Sequence, residues 1–360
     1  MTDGTRLPYG GAVSLFRRPS PSRAAQGQAQ AIGRFWAWWQ GEGSTQTALA
    51  ILDGQSERMV PVLNEKVSAI HSGLSWELAA GESSQHVLIV SAEGDPALRP
   101  VARRWRRAAP EPDGIWDYAD SRPPVADPDG TVLKIGDTDV ALTEATAGAR
   151  VTGVQVDVSV YHPAFEQLPD DARQLATFLL LDAVLGELAV ETWIGAISTT
   201  TAPPLDAVPL AGLRAVVRDL SAQFTDDKGD PHWVVAEGLA KGSRVLVSMQ
   251  IPLRAASAPD LDTHVGVQVP FSDRTPDALP GPGSLASLRR FEDHLTARLD
   301  GSGRLVAHVT HGGMRVLHFY VDGTTPAADQ LRAAVKGWDQ GPVRVQVAAD
   351  PGWSHVSHLR

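Results

Sequence analysis

One succession of strand and helix signals near the end of the chain limits its fold more than any other feature. Residues 263–269 place Val265, Val267 and Val269 at alternate positions, the period of a strand. A Pro/Gly-rich loop over 270–283 leads to a helix with Ser284 at its cap and a face of Leu288, Phe291, Leu295 and Leu299. Residues 304–310 and 314–321 read as two strands joined at His311-Gly312-Gly313, a favoured hairpin turn. Thr325 caps a second helix with Pro326 just inside it and Leu331, Val335 and Trp338 on one face, and residues 343–347 close the series as a strand.

Strand, helix, strand, strand, helix, strand is the ferredoxin-like order of an α+β sandwich. Period-2 alternation divides its residues between two faces. Val265, Val267, Val269, Leu305, Ala307, Val309, Leu317, Phe319, Val321, Val343 and Val345 form the helix-packed side. The opposite face then carries His264, Gln268, His308, Thr310, Val316, His318, Tyr320, Arg344 and Gln346. With no helix to cover it, that face is the expected ligand-binding surface, through His264, Gln268, His308, His318, Tyr320 and Arg344.

Upstream, a helix is expected over residues 25–40, with Phe35, Trp38 and Trp39 on one face and Trp36 to the side, and another over 57–71 with Val60, Leu63, Val67 and Ile70 inward. Strands at 74–79 and 85–91, a helix opened by Asp95-Pro96 and a strand at 115–119 repeat the order of the C-terminal elements. This repeat predicts a second, related α/β unit. The middle predicts a strand over 154–161, a buried helix from Asp170 to about Glu187 presenting Leu175, Phe178, Leu179 and Val184, and a hairpin of 232–237 with 243–252 around Gly242. The expected organisation is a mobile arm (1–22), an N-terminal α+β unit (23–125), a middle region (126–253) and the C-terminal sandwich (254–360).

Composition narrows the chemistry. The chain has no cysteine, which removes disulfides, thiolate nucleophiles and Cys-based metal sites. A net charge of −10 disfavours nucleic acid as a partner. The basic cluster Arg103, Arg104, Arg106 and Arg107 reads as a solvated helix end, with an anion site as the lesser alternative. No signal-peptide core or membrane-length apolar run occurs, so a cytoplasmic protein is expected.

Phosphate-loop, dinucleotide, nucleophile-elbow and H-E-x-x-H motifs are all absent. The pairs His308/His311 and His355/His358 are weak metal candidates, and neither a metal nor a cofactor is expected. Glu187, Glu191 and Asp182 are the candidate catalytic group, with His162 as a possible companion.

The strings Gly303-Arg304-Leu305-Val306, His318-Phe319-Tyr320-Val321-Asp322 and Asp350-Pro351-Gly352-Trp353 resemble a bacterial family, domain of unknown function 695. Leu74-Ser75-Trp76-Glu77-Leu78, Val90-Ser91-Ala92-Glu93-Gly94-Asp95, Ala109-Pro110 with Trp116, and Leu185-Gly186-Glu187 are similar to its other recurring parts. The matching strings are short and scattered. The resemblance implies a fold and no mechanism. The C-terminal part is also similar in layout to the ferredoxin-like inhibitor of a bacterial endoribonuclease, an analogy of fold alone. The reading is a non-enzymatic binding or regulatory protein with another protein as partner. The alternative is a hydrolase-like enzyme using the carboxylates in an inter-domain cleft.

Overall fold

The computed structural model describes residues 23–227, 230–240 and 242–360, so the expected arm at 1–22 lies outside the described residues. Helix α1 (Arg23–Trp38) passes through a π-helical turn, Trp39–Gly43, into α2 (Ser44–Leu52). Gly43 is required there, because a Cβ would come within 2.8 Å of the Trp38 ring. Phe35, Trp36 and Trp39 are buried and Trp38 is the half-buried one, so the π turn reassigns the face expected of Trp36. Trp36 stacks on Trp105 at 4.7 Å and its Nε1–H donates to the Trp105 carbonyl at 2.9 Å. These aromatics are packing, not a ligand platform.

Next come α3 (Val60–Ser68), β1 (Ser75–Ala80), β2 (His86–Ser91), α4 (Arg99–Arg107) and β3 (Trp116–Ala119). Leu63, Val67 and Ile70 face the core, whereas Val60 is exposed. Asp95 holds a turn by accepting from the Ala97 N–H, and α4 itself starts four residues later. Strand β2 lies between β1, antiparallel, and β3, parallel, with Val87 through Val90 buried on both faces.

In the middle, β4 (Val132–Ile135) and β5 (Thr138–Ala141) form a ribbon. Strands β6 (Thr146–Thr152) and β7 (Gln155–Tyr161) join β8 (Ile194–Thr200) and β9 (Val208–Pro209) in a sheet of order β8-β7-β6-β9. Helix α5 (Asp170–Leu185) breaks at Gly186, where φ is +79°, before α6 (Glu187–Trp193), and α7 (Leu213–Ser221) follows. Helix α5 buries Ala176, Leu180, Leu181 and Val184 on one side only. Leu175 and Phe178 are half exposed, so this helix is not the all-round buried one its composition suggests.

The last strands and helices are β10 (His232–Ala240), β11 (Ser243–Ile251), β12 (Thr263–Pro270), α8 (Pro282–Thr296), β13 (Gly303–His311), β14 (Met314–Val321), α9 (Ala327–Ala334) and β15 (Arg344–Ala349). They form one six-stranded sheet, β10-β11-β13-β14-β12-β15, with every neighbouring pair antiparallel. The hairpin grouped by sequence with the middle region is therefore hydrogen-bonded to β13. Ser284 lies inside α8 rather than at its cap; its hydroxyl donates to Gln340, and Asp273 accepts the Gly283 N–H instead. Valines 265, 267 and 269 pack with Leu317, Phe319, Val321 and the apolar faces of α8 and α9. No helix among the described residues is long and apolar enough to cross a membrane.

Candidate functional site

The second face of the C-terminal sheet is not open over its whole length. Residues 253–261 and a terminal turn, Ser354–Leu359, lie across it and build a separate small core of Leu253, Ala258, Leu261, Val306, Ala307, Tyr320, Trp353 and Val356. Tyr320 is fully buried, and His264 and His318 are nearly so. Gln268 and Val316 are half-buried, while Arg344 and Gln346 are exposed at the β15 flank.

A β-bulge between Leu305 and Ala307 changes the parity of β13. Leu305 pairs with Phe319 on the helix side, but Ala307 pairs with His318, and His308 with Leu317. His308 and Thr310 therefore belong to the helix side, and Ala307 and Val309 to the other, the reverse of simple alternation. Thr310 accepts a hydrogen bond from Arg315, which also pairs with Glu292 of α8 at 2.6 Å.

Three histidines and one carboxylate gather where the tail crosses the sheet. His264 Nε2 is 3.0 Å from His318 Nδ1, and the His355 ring stacks on His264 at 4.4 Å. Asp350 pairs with His355 Nδ1 at 2.9 Å and accepts from Tyr320 Oη–H at 2.5 Å and from the Ser354 and His355 N–H groups. Burial pushes His264 down to about 3 and His318 to about 4, helped by neighbouring histidines, so both are neutral at pH 7. Burial also raises the Tyr320 phenol. It opposes ionisation of Asp350 too, but the hydrogen bonds it accepts win and hold its carboxyl below the usual range. His308, on the other side, is pushed to about 3 by burial and by the Arg315 charge. Asp350, through Tyr320, and His355, through its stacking on His264, hold the tail to the sheet, while His264 and His318 bond to each other between β12 and β14. Among the described residues no group of three or more His, Asp or Glu side chains is placed to hold a metal ion.

Glu187, Glu191 and Asp182 do converge, around arginines. Arg99 is buried and donates to Glu187 at 2.8 Å and to Glu191. Glu187 also accepts the N–H groups of Gly94 at 3.1 Å and Arg122 at 3.2 Å. Asp182 stands 3.9 Å from Arg122, and burial together with the Glu187 charge raises it to about 6. His162 is held elsewhere, by the Ala141 carbonyl at 3.0 Å and the Ala164 N–H. The group staples the turn after β2, α4 and the loop after β3 to α5 and α6.

The α4 arginines also have carboxylate partners. Arg104 bridges Asp262 at 2.7 Å and Asp322 at 2.8 Å, Arg107 reaches Asp260 at 2.7 Å, and Arg103 pairs with Asp120 at 2.7 Å. Arg104 and Arg107 are thus bridges to the C-terminal sheet unit, while Arg103 and Arg106 pair with Asp120 and Asp117 at β3 within the N-terminal part.

What remains free is the hairpin edge. Trp233, Val235 and Leu239 of β10 are 44%, 73% and 76% exposed. Being two or four residues apart they share one side of the sheet, and Trp233 stacks on His308 at 6.2 Å. Neither β10 nor β11 contributes a side chain to the core under α8 and α9.

Residues 232–359 match the model of DUF695, a family of unknown function. The match opens at β10, so the hairpin belongs to the matched segment together with the strands it joins. The DUF695 segment ends within the terminal turn that covers the sheet. The upstream strings at 74–78 and 90–95 fall outside it. No curated protein and no solved structure matches the chain.

Proposed function

We propose that this is a non-catalytic binding protein that takes an extended segment of a partner protein along β10. One observation carries this reading: β10 is a sheet edge that pairs with no further strand among the described residues, and it presents exposed apolar side chains at alternate positions. Natural sheets blunt such edges with charge. Across its nine residues β10 carries one carboxylate, Glu237, and Arg244 neutralises it at 2.7 Å. An added strand would supply backbone partners to the outer edge and lay alternate side chains beside Trp233, Val235 and Leu239.

The frame behind the edge reads as a ferredoxin-like sandwich. The order β13-β14-β12-β15, antiparallel throughout with α8 and α9 on one side, supports this. On that reading the C-terminal unit begins at β10 rather than at residue 254. Tyr320 and His318 are packing groups beneath the tail, which leaves Arg344, Gln346 and Gln268 as a minor polar flank. The hydrolase alternative loses support because Glu187 and Glu191 are committed to Arg99 and to backbone N–H groups.

The test is affinity capture from the native host with the wild type, Val235→Lys/Leu239→Lys and Arg344→Glu. A partner kept by Arg344→Glu and lost with the lysine pair supports the reading. A partner retained by the lysine pair overturns it. So does concentration-dependent self-association in sedimentation velocity that the lysine pair abolishes, because the occupant is then a second copy of this chain.

A further inference from the structure

Arg304 is set deep in the fold without a carboxylate partner; Arg214 and Arg254 lack one too, but Arg214 is bonded to the Val184 and Val125 carbonyls and Arg254 to Gln155. Arg99, Arg104 and Arg315 each have a carboxylate within ion-pair distance, whereas Arg304 has none among the described residues. It lies opposite Tyr320 on the tail-covered face, with its guanidinium 5.6 Å from the centre of the Trp353 ring. Nη2 donates to Ser257 Oγ at 2.9 Å, while Nε is buried with no hydrogen-bond partner. The carboxylates whose charge favours it are Asp260 and Asp230, and Asp260 is already bound to Arg107. Arginine does not lose its proton in a protein, so an orphaned buried donor on a fixed cation is a lasting cost that a bound anion would relieve.

The guanidinium also lines a cavity of about 310 Å³, between α6 on one side and residues 252–257 on the other. Its walls include Leu188 and Trp193, which are apolar, and the hydroxyls of Thr192, Thr225 and Ser257. That volume is at the lower end of the range for small-molecule sites. One unpaired cation, three hydroxyls and an indole form a lining that suits an oxyanion attached to a compact flat body.

We propose that this cavity is a binding site for a small organic oxyanion, a carboxylate or phosphate ester, whose charge pairs with Arg304 and whose apolar body lies against Trp193 and Leu188. The site is separate from the β10 edge. Occupancy would tie α6 to the C-terminal sheet through a ligand instead of through a further ion pair.

The experiment is isothermal titration of the full chain with phenyl phosphate, benzoate, inorganic phosphate and benzyl alcohol. Phenyl phosphate or benzoate binds, benzyl alcohol does not, and inorganic phosphate binds more weakly than phenyl phosphate. Arg304→Gln weakens the aryl anion by about tenfold or more, the loss of a charge-assisted hydrogen bond. Ala189→Glu keeps Arg304 and its packing but puts a carboxylate into the same cavity, so it abolishes binding with the melting temperature unchanged. Failure of both aryl anions to bind at millimolar concentration overturns the proposal. Equal binding by the wild type and Ala189→Glu overturns it as well, whatever Arg304→Gln does to folding. Inorganic phosphate binding as tightly as phenyl phosphate removes the apolar body from it.

Discussion

Acidification from pH 7 to pH 5 should loosen the C-terminal unit well before its carboxylates protonate. His264, His318 and His308 titrate in the fold at about 3, 4 and 3, against 6.5 in the unfolded chain. Their folded values are depressed, so the unfolded chain binds the extra protons. Stability is therefore complete above 6.5, falls as pH drops below it, and levels off below the folded values. At pH 5 each histidine is almost wholly charged when unfolded and almost wholly neutral when folded, a loss of about 2 kcal/mol apiece. Asp182 works the other way: its folded value, about 6, lies above its ordinary one, so acidification to pH 5 returns about 1 kcal/mol. Asp350, held low, contributes only below about pH 4. Together these histidines and Asp182 account for a loss on the order of 4–5 kcal/mol between pH 7 and pH 5, to which the lowered His162 adds and against which the raised Glu292 works. Urea titration followed by tryptophan fluorescence measures it. His318→Gln should remove about 2 kcal/mol of the pH dependence. Equal stability at pH 5 and pH 7, or an unaltered slope in His318→Gln, would refute the buried-neutral assignment.

Further outcomes follow from the packing. Gly43→Ala should destabilise by roughly 1–3 kcal/mol, since its Cβ meets the Trp38 ring at 2.8 Å, whereas Gly33→Ala, with nothing within 4 Å, should stabilise α1 by about 0.5–1 kcal/mol; thermal melts distinguish them. Arg104→Met removes the closer of the two arginines beside Asp322, leaving Arg107 at 3.8 Å and the Thr324 hydrogen bonds, and should cost roughly 1–3 kcal/mol in urea. Tyr320→Phe removes the hydrogen bond to Asp350 and should cost about 1.5–3 kcal/mol, with faster amide exchange in the terminal turn as the local readout.

Alternation reads the helix side correctly along β12 and β14, where Val265, Val267, Val269, Leu317, Phe319 and Val321 are all buried. It fails on β13 because a bulge adds a residue there. Leu305-Val306-Ala307, three apolar residues in a row, is the trace of that bulge: Leu305 faces the helices while Val306 and Ala307 both join the core under the tail, which a strict period of two does not allow. The covering of the second face is visible in sequence only as Trp353. Its partners Tyr320 and the Leu261 carbonyl are set by the fold. The α4 arginines are plain in the sequence, but Asp262 and Asp322 lie 158 and 218 residues away, beyond any local pattern. That Arg304 has no carboxylate within ion-pair distance among the described residues is likewise set by the fold and not by any local pattern.

The order of the repeated elements is legible and informative. In the C-terminal sheet, β12 lies between β14 and β15, whereas β2 pairs directly with β3. In the N-terminal sheet the strand that follows α4 pairs in parallel with β2, with no strand between them.

Photocrosslinking in the native host, with p-benzoylphenylalanine in place of Val235 or of the fully exposed Leu205, tests the binding edge most directly. The account predicts an adduct with a second protein at Val235 and none at Leu205. The same adducts from both positions, or only a doubled mass of this chain, would contradict it.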